Sequence, residues 1–277
     1  MLGQYVDRGP LESPGGVIYH YPVRNKLTRE LAVCGWNAVT TLGEYHPETI
    51  HRLFLREDRL PPLTGLCKYL AERKRPYKIC DDEELERVCK SNRHQGVAAM
   101  IDEPEIAPVN QEDLDAWARE GKTGLILFSV GNDHNLGAIV RSAAFFDTPL
   151  VVLSDTDEAA QLTTSAYRVA EGGMEHVTFR KLRNAPAFLK SAAKSLHIIG
   201  ADHRARLRIR DLKTVVGKNA DGGRPGIALV VGNEETGLPP EIKELCTSLV
   251  RIPGSGVMES LNVAQAATLF LHELYEL

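Results

Sequence analysis

The sequence predicts an α/β fold made of two domains, and three observations support this prediction. The chain has 277 residues, and at about 150 residues per domain this length is enough for two domains. Short apolar segments of strand length alternate with helical patterns in both halves of the chain, as they do in α/β proteins. The apolar segments of the C-terminal half contain few polar residues, which is typical of a mostly parallel sheet covered by helices on both faces.

The composition is that of an ordinary globular protein, with 43% hydrophobic and 25% charged residues. The net charge is −4, so binding of nucleic acid would depend on local basic patches rather than on the overall charge. The five cysteines include no CxxC pair, so we expect neither a disulfide framework nor a metal site, and a reducing cytoplasm fits. We expect no signal peptide, because MLGQYVDRGP lacks a basic-then-apolar pattern. We expect no membrane span, because the apolar runs are far shorter than the roughly 20 residues required.

The N-terminal half is predicted to form a small α/β domain over residues 17–104, after a flexible tail at residues 1–16. The expected helices are the segment 28–45, which a glycine interrupts, LTGLCKYLAERK and DDEELERVCKS. The expected strands are VIYHYPVRN, IHRLFL, PYKIC and GVAAMI. Residues 105–118 are acidic and contain proline, so we interpret them as a linker.

The second domain is predicted over residues 119–277. Its strands are GLILFSV, PLVVLS, HIIGA, GIALVVG and SLVRIP, and its helices lie at residues 137–146, 185–195, 241–246 and 260–277. Polar loops that contain glycine follow three of these strands, namely GNDHNLG, GNEETGLP and PGSGVMESLN. Because ligands bind beyond the carboxyl ends of the strands in such sheets, these loops predict a binding site at one edge.

The first loop leads into a helix that bears a candidate functional arginine. Asn135 is placed to cap this helix, and Arg141 follows one to two turns later among apolar residues. An arginine in such surroundings must either be paired or face a site. A salt bridge across a domain interface is the structural alternative for Arg141.

The other two loops offer a carboxylate and several hydrogen-bonding groups. Gly232 permits close approach of the backbone to a ligand, and Glu234 places a carboxylate at the end of its strand. Ser260 and Asn262 stand at the start of the last helix, where they can cap the helix or bind a ligand. For Ser260, an ordinary N-cap is the alternative.

Three segments, NLGAIVRSA, LVVGNEETGLP and IPGSGVMESLNVAQAA, in this order, resemble the motifs of the SpoU/TrmH group of SPOUT methyltransferases. The third motif is highly specific. The resemblance implies an α/β domain with a deep trefoil knot, an exception to the rule that protein chains are unknotted. It also implies that the domain binds S-adenosylmethionine, methylates a ribose 2′-hydroxyl of RNA, and forms a homodimer that shares its active site across the interface.

The resemblance also assigns site residues by position. The implied catalytic residues are Arg141, Asn135, Glu234, Ser260 and Asn262, and the implied cofactor-binding residues are Val231, Gly232, Asn233, Ile252, Gly256, Ser260, Leu261 and Asn262. Arg141 would contact the ribose 2′-hydroxyl and the adjoining phosphate. Because a free guanidinium keeps its proton far above neutral pH, we favour a bidentate grip on phosphate, and the motifs leave the role of general base open.

Several positions depart from the family pattern. The family often has proline at the position of Asp133 or His134 and methionine at that of Gly254. Where a segment like SAGALEHV is common, this chain reads AEGGMEHV, so Ala170 replaces a hydroxyl and Glu171 adds a charge. These differences bear on the choice of substrate more than on the binding of the cofactor.

The segments CGWNAVTTL and RHQGVAAMI resemble parts of the substrate-binding domain that precedes many SpoU enzymes. That domain is a small ribosomal-protein-like fold that helps to hold structured RNA. A generic α/β domain is the alternative. For His94, a buried structural role is the alternative to an RNA contact.

Two basic segments are candidate RNA contacts. The first comprises Arg73, Lys74, Arg75, Tyr77 and Lys78, where the tyrosine can stack on a base. The second is HRARLRIRDLK at residues 203–213, whose four alternating arginines would share one face if the segment were extended. For each segment, an ordinary solvated surface is the alternative.

Two other functions stay open at this point: a non-catalytic RNA-binding member of the family, and an unrelated nucleotide-binding enzyme on a doubly wound sheet. The retained Arg141, Glu234, Ser260 and Asn262 argue against the first. The sequence has no GxGxxG or Walker motif, which argues against the second. The motifs do not select between ribosomal and transfer RNA, nor do they identify the methylated nucleotide.

Overall fold

The computed structural model describes residues 29–156, 159–218 and 222–277. These residues form a four-stranded sheet and a seven-stranded sheet with helices packed on them. The predicted tail at residues 1–16 and the strand candidate VIYHYPVRN lie outside the described residues. None of the helices in the described ranges is long and apolar enough to cross a membrane.

The N-terminal sheet contains two antiparallel pairs and one parallel pair of strands. Its elements are β1 (Glu30–Cys34), α1 (Trp36–Tyr45), β2 (Ile50–Leu55), α2 (Leu60–Glu72), β3 (Tyr77–Ile79), α3 (Asp82–Cys89) and β4 (Val97–Asp102). The strand order is β1-β4-β2-β3, and only β2 and β3 run parallel to each other.

One helix predicted for this half is wrong in its first part, and the other elements predicted for its described residues are confirmed. Residues 30–34 pair with β4 as a strand instead of continuing a helix over residues 28–45. Gly35 separates the strand from α1 with a φ of 104°, which few residues other than glycine adopt. The apolar residues of this stretch therefore belong to two elements, and their helical spacing is accidental.

The predicted linker is folded in its C-terminal part. Residues 111–118 belong to helix α4 (Gln111–Glu120), which begins at a capping box. Trp117 of this helix is buried, and its Nε1 donates to the carbonyl of Ile227 at 3.0 Å. The acidic residues that suggested a linker lie partly in the first turn of this helix, where carboxylates are favourable. This part of the interpretation is corrected, and the bounds of the two domains stay a prediction.

The C-terminal sheet is parallel throughout, and its five predicted strands are confirmed. Its elements are β5 (Thr123–Leu127), α5 (Asp133–Phe145), β6 (Leu150–Ser154), α6 (Thr164–Ala170), β7 (Thr178–Leu182), α7 (Ala185–Ala192), β8 (Leu196–Ala201), β9 (Leu207–Arg208), α8 (Leu212–Val216), β10 (Gly226–Val231), α9 (Pro240–Lys243), β11 (Ser248–Arg251) and α10 (Val263–Tyr275). The strand order is β7-β6-β5-β10-β8-β11-β9. The sequence did not predict the edge strands β7 and β9.

Alternate residues of the central strands supply two hydrophobic cores, as expected for a sheet covered on both faces. Leu125 and Leu229 pack on the side of α5, α6 and α10. Ile126 and Ala228 pack on the side of α4, α7 and α9. Because β5, β10 and β11 are parallel, the loops that follow them lie at one edge of the sheet. The deep knot stays a prediction, since strand order alone does not determine how a chain is threaded.

The two sheets are joined through α6 and the residues that follow it. β1 and α1 contact α6 and the short 3₁₀ helix at Gly173–His176. Arg168 on α6 donates from Nη1 to the hydroxyl of Ser91 at 2.9 Å. The segment AEGGMEHV therefore lies where the N-terminal domain meets the C-terminal one.

Candidate active site

One asparagine side chain joins the three loops at the carboxyl edge of the large sheet. Asn135 donates from Nδ2 to Oε1 of Glu234 at 2.7 Å. Its Oδ1 accepts a hydrogen bond from Nδ2 of Asn262 at 3.1 Å. These residues follow β5, β10 and β11, respectively. The structure thus brings three of the predicted site residues together.

Asn135 is not the cap of α5, contrary to the prediction from its position in the sequence. Asn132 is the cap, and its Oδ1 accepts from the backbone N–H of His134 at 2.8 Å and of Asn135 at 3.4 Å. The helix consequently begins at Asp133, and Asn135 lies in its first turn. With the backbone already capped, the amide of Asn135 is available to the other two loops.

Glu234 holds its carboxylate at the N-terminal end of α5. Its Oε2 accepts from the backbone N–H of Gly131 at 3.4 Å, and the residue is exposed. The partial positive charge at a helix N-terminus stabilises a carboxylate in this position. Both partners of Glu234 are neutral, so the site keeps a net negative charge that suits a cationic group.

The loop after β10 is held in a tight turn by Asn233. Its Oδ1 accepts from the backbone N–H groups of Glu235 at 2.9 Å and Thr236 at 3.1 Å. Its Nδ2 donates to the carbonyl of Ser129 at 2.8 Å, which ties this loop to the one after β5. The side chain of Asn233 is therefore engaged in shaping the site.

Gly232 is required by this turn itself. A Cβ atom at this position would lie 2.4 Å from the carbonyl carbon of Gly237. The turn therefore gives Gly232 a structural role of its own, and the contact of its backbone with a ligand stays a prediction. Val231 and Gly232 are both buried, so it is their backbone that a cofactor would contact.

The loop after β11 is open to solvent. Residues 253–262 are exposed and lie outside helices and strands, and Gly256 has a φ of 86°. Ile252, at the start of the loop, is half-buried. Ser260 is not the N-cap of α10, because Asn262 takes that place and its Oδ1 accepts from the N–H of Ala264 at 2.9 Å.

The chemistry of these loops fits S-adenosylmethionine. Met258 and Leu261 are exposed apolar side chains, 77% and 48% accessible, which suit the faces of an adenine ring. Backbone N–H and C=O groups outside regular structure suit the polar edge of that ring. Glu234 suits the positively charged end of the molecule. Among the residues that the structure describes, no group of three or more His, Cys, Asp or Glu could hold a metal ion.

Arg141 lies apart from the loop cluster. It follows Asn135 by six residues on the same helix, a rise of about 9 Å. Its side chain is 61% exposed, and its Nη1 is 3.7 Å from Oε1 of Glu171. The guanidinium is thus paired within the C-terminal half, not by the salt bridge across a domain interface that was the structural alternative, and it also faces solvent.

Asp133, which stands where the family often has proline, fastens the start of α5. Its Oδ1 accepts from the N–H of Gln161 at 3.2 Å and its Oδ2 from the hydroxyl of Thr163 at 2.8 Å. Gly254 is exposed, and a Cβ there would meet no atom within 4 Å. The first departure therefore has a structural role, whereas the second leaves room at the open loop.

The first basic segment includes β3, which is one edge strand of the N-terminal sheet. The opposite edge strand, β1, contacts the C-terminal half, so the segment lies on the side of the sheet away from that half. Arg75 donates to the carbonyl oxygens of Glu48 and Ile50, and Lys78 pairs with Glu84 at 2.6 Å. Arg73 stacks on Tyr69 at 3.7 Å from the ring centre, and Tyr77 is 42% exposed. Their contact with RNA stays a prediction, and it would involve chiefly Arg73, Lys74 and Tyr77.

The second basic segment and His94 have the following conformations. The segment 203–213 is not extended, because only Leu207–Arg208 forms a strand and a 3₁₀ helix follows. The prediction that four alternating arginines share one face is therefore wrong. His94 is 4% exposed, and its Nδ1 accepts from the N–H of Gly96 at 3.1 Å, which supports the structural role.

Comparison with known proteins adds to this geometry. The SpoU rRNA Methylase family matches residues 122–272, and the RNA 2'-O ribose methyltransferase substrate binding family matches residues 32–107. These two matches cover the two sheets separately.

Relatives and solved structures extend the similarity to almost the whole chain. The 23S rRNA (guanosine-2'-O-)-methyltransferase RlmB of Nitrosomonas europaea is 31% identical over 90% of this chain and 92% of its own length. RlmB of Acinetobacter baylyi is 32% identical over 86% of this chain and 94% of its own. An AdoMet-bound rRNA methyltransferase from Sinorhizobium meliloti superposes with a TM-score of 0.71 at 19% identity, over 90% of this chain and 88% of the other. The SpoU methyltransferase AviRb from Streptomyces viridochromogenes, in complex with AdoMet, has a TM-score of 0.67 at 20% identity, over 90% and 89%. These two structures share the fold.

Proposed function

The chain belongs to the SpoU rRNA Methylase family, and from this premise we propose that it transfers a methyl group from S-adenosylmethionine to a ribose 2′-hydroxyl of structured RNA. The observation that carries the proposal is the contact of Asn135 with Glu234 and Asn262. It joins the three motif loops into one polar site at the edge of the sheet where such folds bind ligands.

Ribosomal RNA is the substrate class that we propose first. Two relatives that match over most of both chains are 23S rRNA (guanosine-2'-O-)-methyltransferases by name. A ribosomal substrate goes with the predicted cytoplasmic location. The N-terminal domain would hold the RNA, with Arg73, Lys74 and Tyr77 as its outer contacts and Arg75 and Lys78 shaping the same segment.

S-adenosylmethionine, when bound, supplies the electrophilic methyl group. We assign its binding to the loops after β10 and β11, through Val231, Gly232, Asn233, Ile252, Gly256, Ser260, Leu261 and Asn262. Glu234 would balance the positive charge of the cofactor at short range. Asn135 would keep Glu234 and Asn262 in place, so that the two loops close on the cofactor as a unit.

Arg141 would act on the acceptor RNA. Its planar guanidinium can hold the phosphate next to the target ribose with two parallel hydrogen bonds. The same positive charge stabilises negative charge that develops on the 2′-oxygen as it attacks. Neither role requires a neutral arginine. The methyl group would pass directly to the 2′-oxygen without a covalent enzyme intermediate, S-adenosylhomocysteine would leave, and the hydroxyl proton would pass to solvent.

Arg141 lies apart from the cofactor loops of its own chain, and this favours a homodimer whose active site contains residues of both copies. Phe145 on α5 and Leu269 and Tyr275 on α10 are 80%, 43% and 56% exposed. The hydroxyls of Ser142 and Thr268, 2.7 Å apart, join these helices into one face. Contiguous exposed apolar side chains mark an interface. A second copy on this face would bring Arg141 of one protomer to the cofactor loops of its partner.

The dimer is tested by replacing Phe145 with aspartate. Sedimentation should show a monomer, and methyl transfer should fall with it. Ile79→Asp changes an apolar residue that is 47% exposed on the N-terminal sheet and should remain dimeric. A Phe145→Asp protein that stays dimeric would place the interface elsewhere.

The activity is tested with labelled S-adenosylmethionine and total RNA from cells that lack the gene for this chain. We expect label in ribosomal RNA as an alkali-resistant 2′-O-methyl nucleotide. Arg141→Lys should keep the charge and lose most of kcat, because lysine cannot bind phosphate in a bidentate manner. Arg183→Lys, at an arginine that is 75% exposed on the same domain, should be fully active.

The outcomes separate the alternatives. Binding of S-adenosylmethionine without methyl transfer to any RNA would indicate a non-catalytic RNA-binding member of the family. Methylation of transfer RNA alone would overturn the assignment to ribosomal RNA. Full activity of Arg141→Lys would overturn the bidentate role.

A further inference from the structure

A short turn at residues 171–173 is wedged between the helix that bears Arg141 and the N-terminal domain. A Cβ on Gly172 would lie 2.4 Å from the hydroxyl oxygen of Thr41 in α1, and one on Gly173 would lie 3.1 Å from the Cα of Arg141. The backbone of this turn therefore touches both domains closely. Any side chain that projects from it is placed between them.

Glu171 projects from this turn and links Arg141 to the N-terminal domain. Its Oε2 accepts from Nδ2 of Asn37 at 2.9 Å, and its Oε1 lies 3.7 Å from Nη1 of Arg141. Its own φ is 47°, a left-handed conformation that costs energy for a residue other than glycine or asparagine. The chain thus holds a carboxylate against the guanidinium at a position whose backbone conformation is unfavourable for glutamate.

This contact does little for the stability of the fold. The side chains of Arg141 and Glu171 are 61% and 35% exposed, and exposed ion pairs of this kind contribute little. The carboxylate does, however, occupy one side of the guanidinium that the proposed function assigns to an RNA phosphate. Two anions compete for one cation there.

We propose that Glu171 weakens the binding of RNA, because it keeps Arg141 paired until an RNA phosphate replaces the carboxylate. The inference rests on the proposed contact of Arg141 with phosphate. An RNA that reaches Arg141 must displace the carboxylate or accept its repulsion.

The expected size follows from Coulomb's law. A phosphate and a carboxylate on either side of a guanidinium are about 6 Å apart, and in a largely solvated setting their repulsion weakens binding on the order of fivefold. Neutralising Glu171 should therefore lower KM for RNA about fivefold and leave kcat within about twofold. It should also steepen the dependence of log Kd on log salt by about one unit, because Arg141 is then no longer neutralised within the protein.

Three variants distinguish this role from a merely structural one. Glu171→Gln keeps the size of the side chain and a hydrogen bond to Asn37 but loses the charge, Glu171→Ala loses both, and Asn37→Ala loses the domain link but keeps the charge. If the charge competes with phosphate, Glu171→Gln and Glu171→Ala both bind RNA more tightly and Asn37→Ala does not. If Glu171 only joins the domains, Glu171→Ala and Asn37→Ala resemble each other and Glu171→Gln resembles the wild type.

The measurement uses the full chain and unmodified 23S rRNA made by transcription. Affinity is read from binding without cofactor across a salt series, and KM and kcat are read from methyl transfer. Wild-type affinity and salt slope in Glu171→Gln would overturn the inference, even in a protein that methylates RNA. Absence of methyl transfer by the wild type to any RNA counts against the proposed function instead, and the binding series still reports on Glu171.

Discussion

Replacing Asn135 with alanine removes the amide that joins the three loops of the site. Two hydrogen bonds are lost, one of 2.7 Å to the carboxylate of Glu234 and one of 3.1 Å from Asn262. Because both partners are exposed, each bond contributes only about 0.5 kcal/mol net, so the protein loses about 1 kcal/mol of stability. Glu234 and Asn262 are exposed, so water satisfies them afterwards and the cost does not rise to that of a buried unpaired group.

The effect on binding of the cofactor should exceed the effect on stability. In the variant, the loops after β10 and β11 must be ordered by the ligand, and each immobilised side chain costs about 0.5–1.5 kcal/mol. Two or three such side chains give about 2 kcal/mol, which corresponds to an affinity for S-adenosylmethionine about 30-fold lower. The melting temperature should fall by only about 2–4 °C.

Calorimetric titration with S-adenosylmethionine and thermal unfolding measure the two effects. Asn262→Asp is the matched second variant, because its carboxylate still caps α10 at Ala264 but no longer donates to Asn135. Asn184→Ala is the control, since it removes an asparagine cap at α7 outside the site, and it should lose stability but not affinity. Unchanged affinity in Asn135→Ala would refute the view that this amide closes the site.

The remaining predictions concern packing and a buried acid. Gly137→Ala should destabilise the protein by about 1–3 kcal/mol, because its Cβ would lie 2.5 Å from the carbonyl oxygen of Ala166. Gly65→Ala changes an exposed helical position where a Cβ would meet no atom within 4 Å, and it should stabilise the protein by about 0.5–1 kcal/mol. Denaturant titration of both variants tests this, and equal effects would contradict it. Burial raises the pKa of Glu175, so the native state binds this proton more tightly than the unfolded chain, and stability from this group is lost as the pH rises through the folded pKa. Glu175→Gln should therefore raise the melting temperature at pH 8 and change it little at pH 4. A lower melting temperature of this variant at pH 8 would show that contacts of the ionised carboxylate, such as that with His46 at 3.9 Å, outweigh burial.

The sequence predicts the central sheet well because its strands are continuous apolar runs. GIALVV forms β10, and all six of its residues are buried. The edge strand β7 escaped prediction because its residues Thr178, Arg180 and Lys181 are as polar as those of a loop. Helix α4 was not predicted because its acidic first turn resembles a linker. The contact of Trp117 with Ile227 shows that this helix packs on the C-terminal sheet.

The site was predictable as a location but not as a set of contacts. Parallel strands place their carboxyl ends together, so three polar loops indicate one edge. Asn132 and Asn135 are both suitable caps for α5, and local sequence does not tell which one is used. Asn132 could have been preferred because it precedes an acid, as a helix N-terminus favours. The contact of Arg141 with Glu171 joins positions 30 residues apart through the packing of α5 on α6, and no local pattern encodes it.

The separation of Glu234 from Arg141 has a chemical reason. If the two were in contact, each charge would satisfy the other, and neither would be available to a ligand. Glu234 is instead held by a neutral amide and a backbone N–H, so it keeps its charge for a cation. Arg141 is paired with a different carboxylate, on the side of the N-terminal domain. In the proposed reaction between a cationic methyl donor and an anionic RNA, this separation leaves one charge for each substrate.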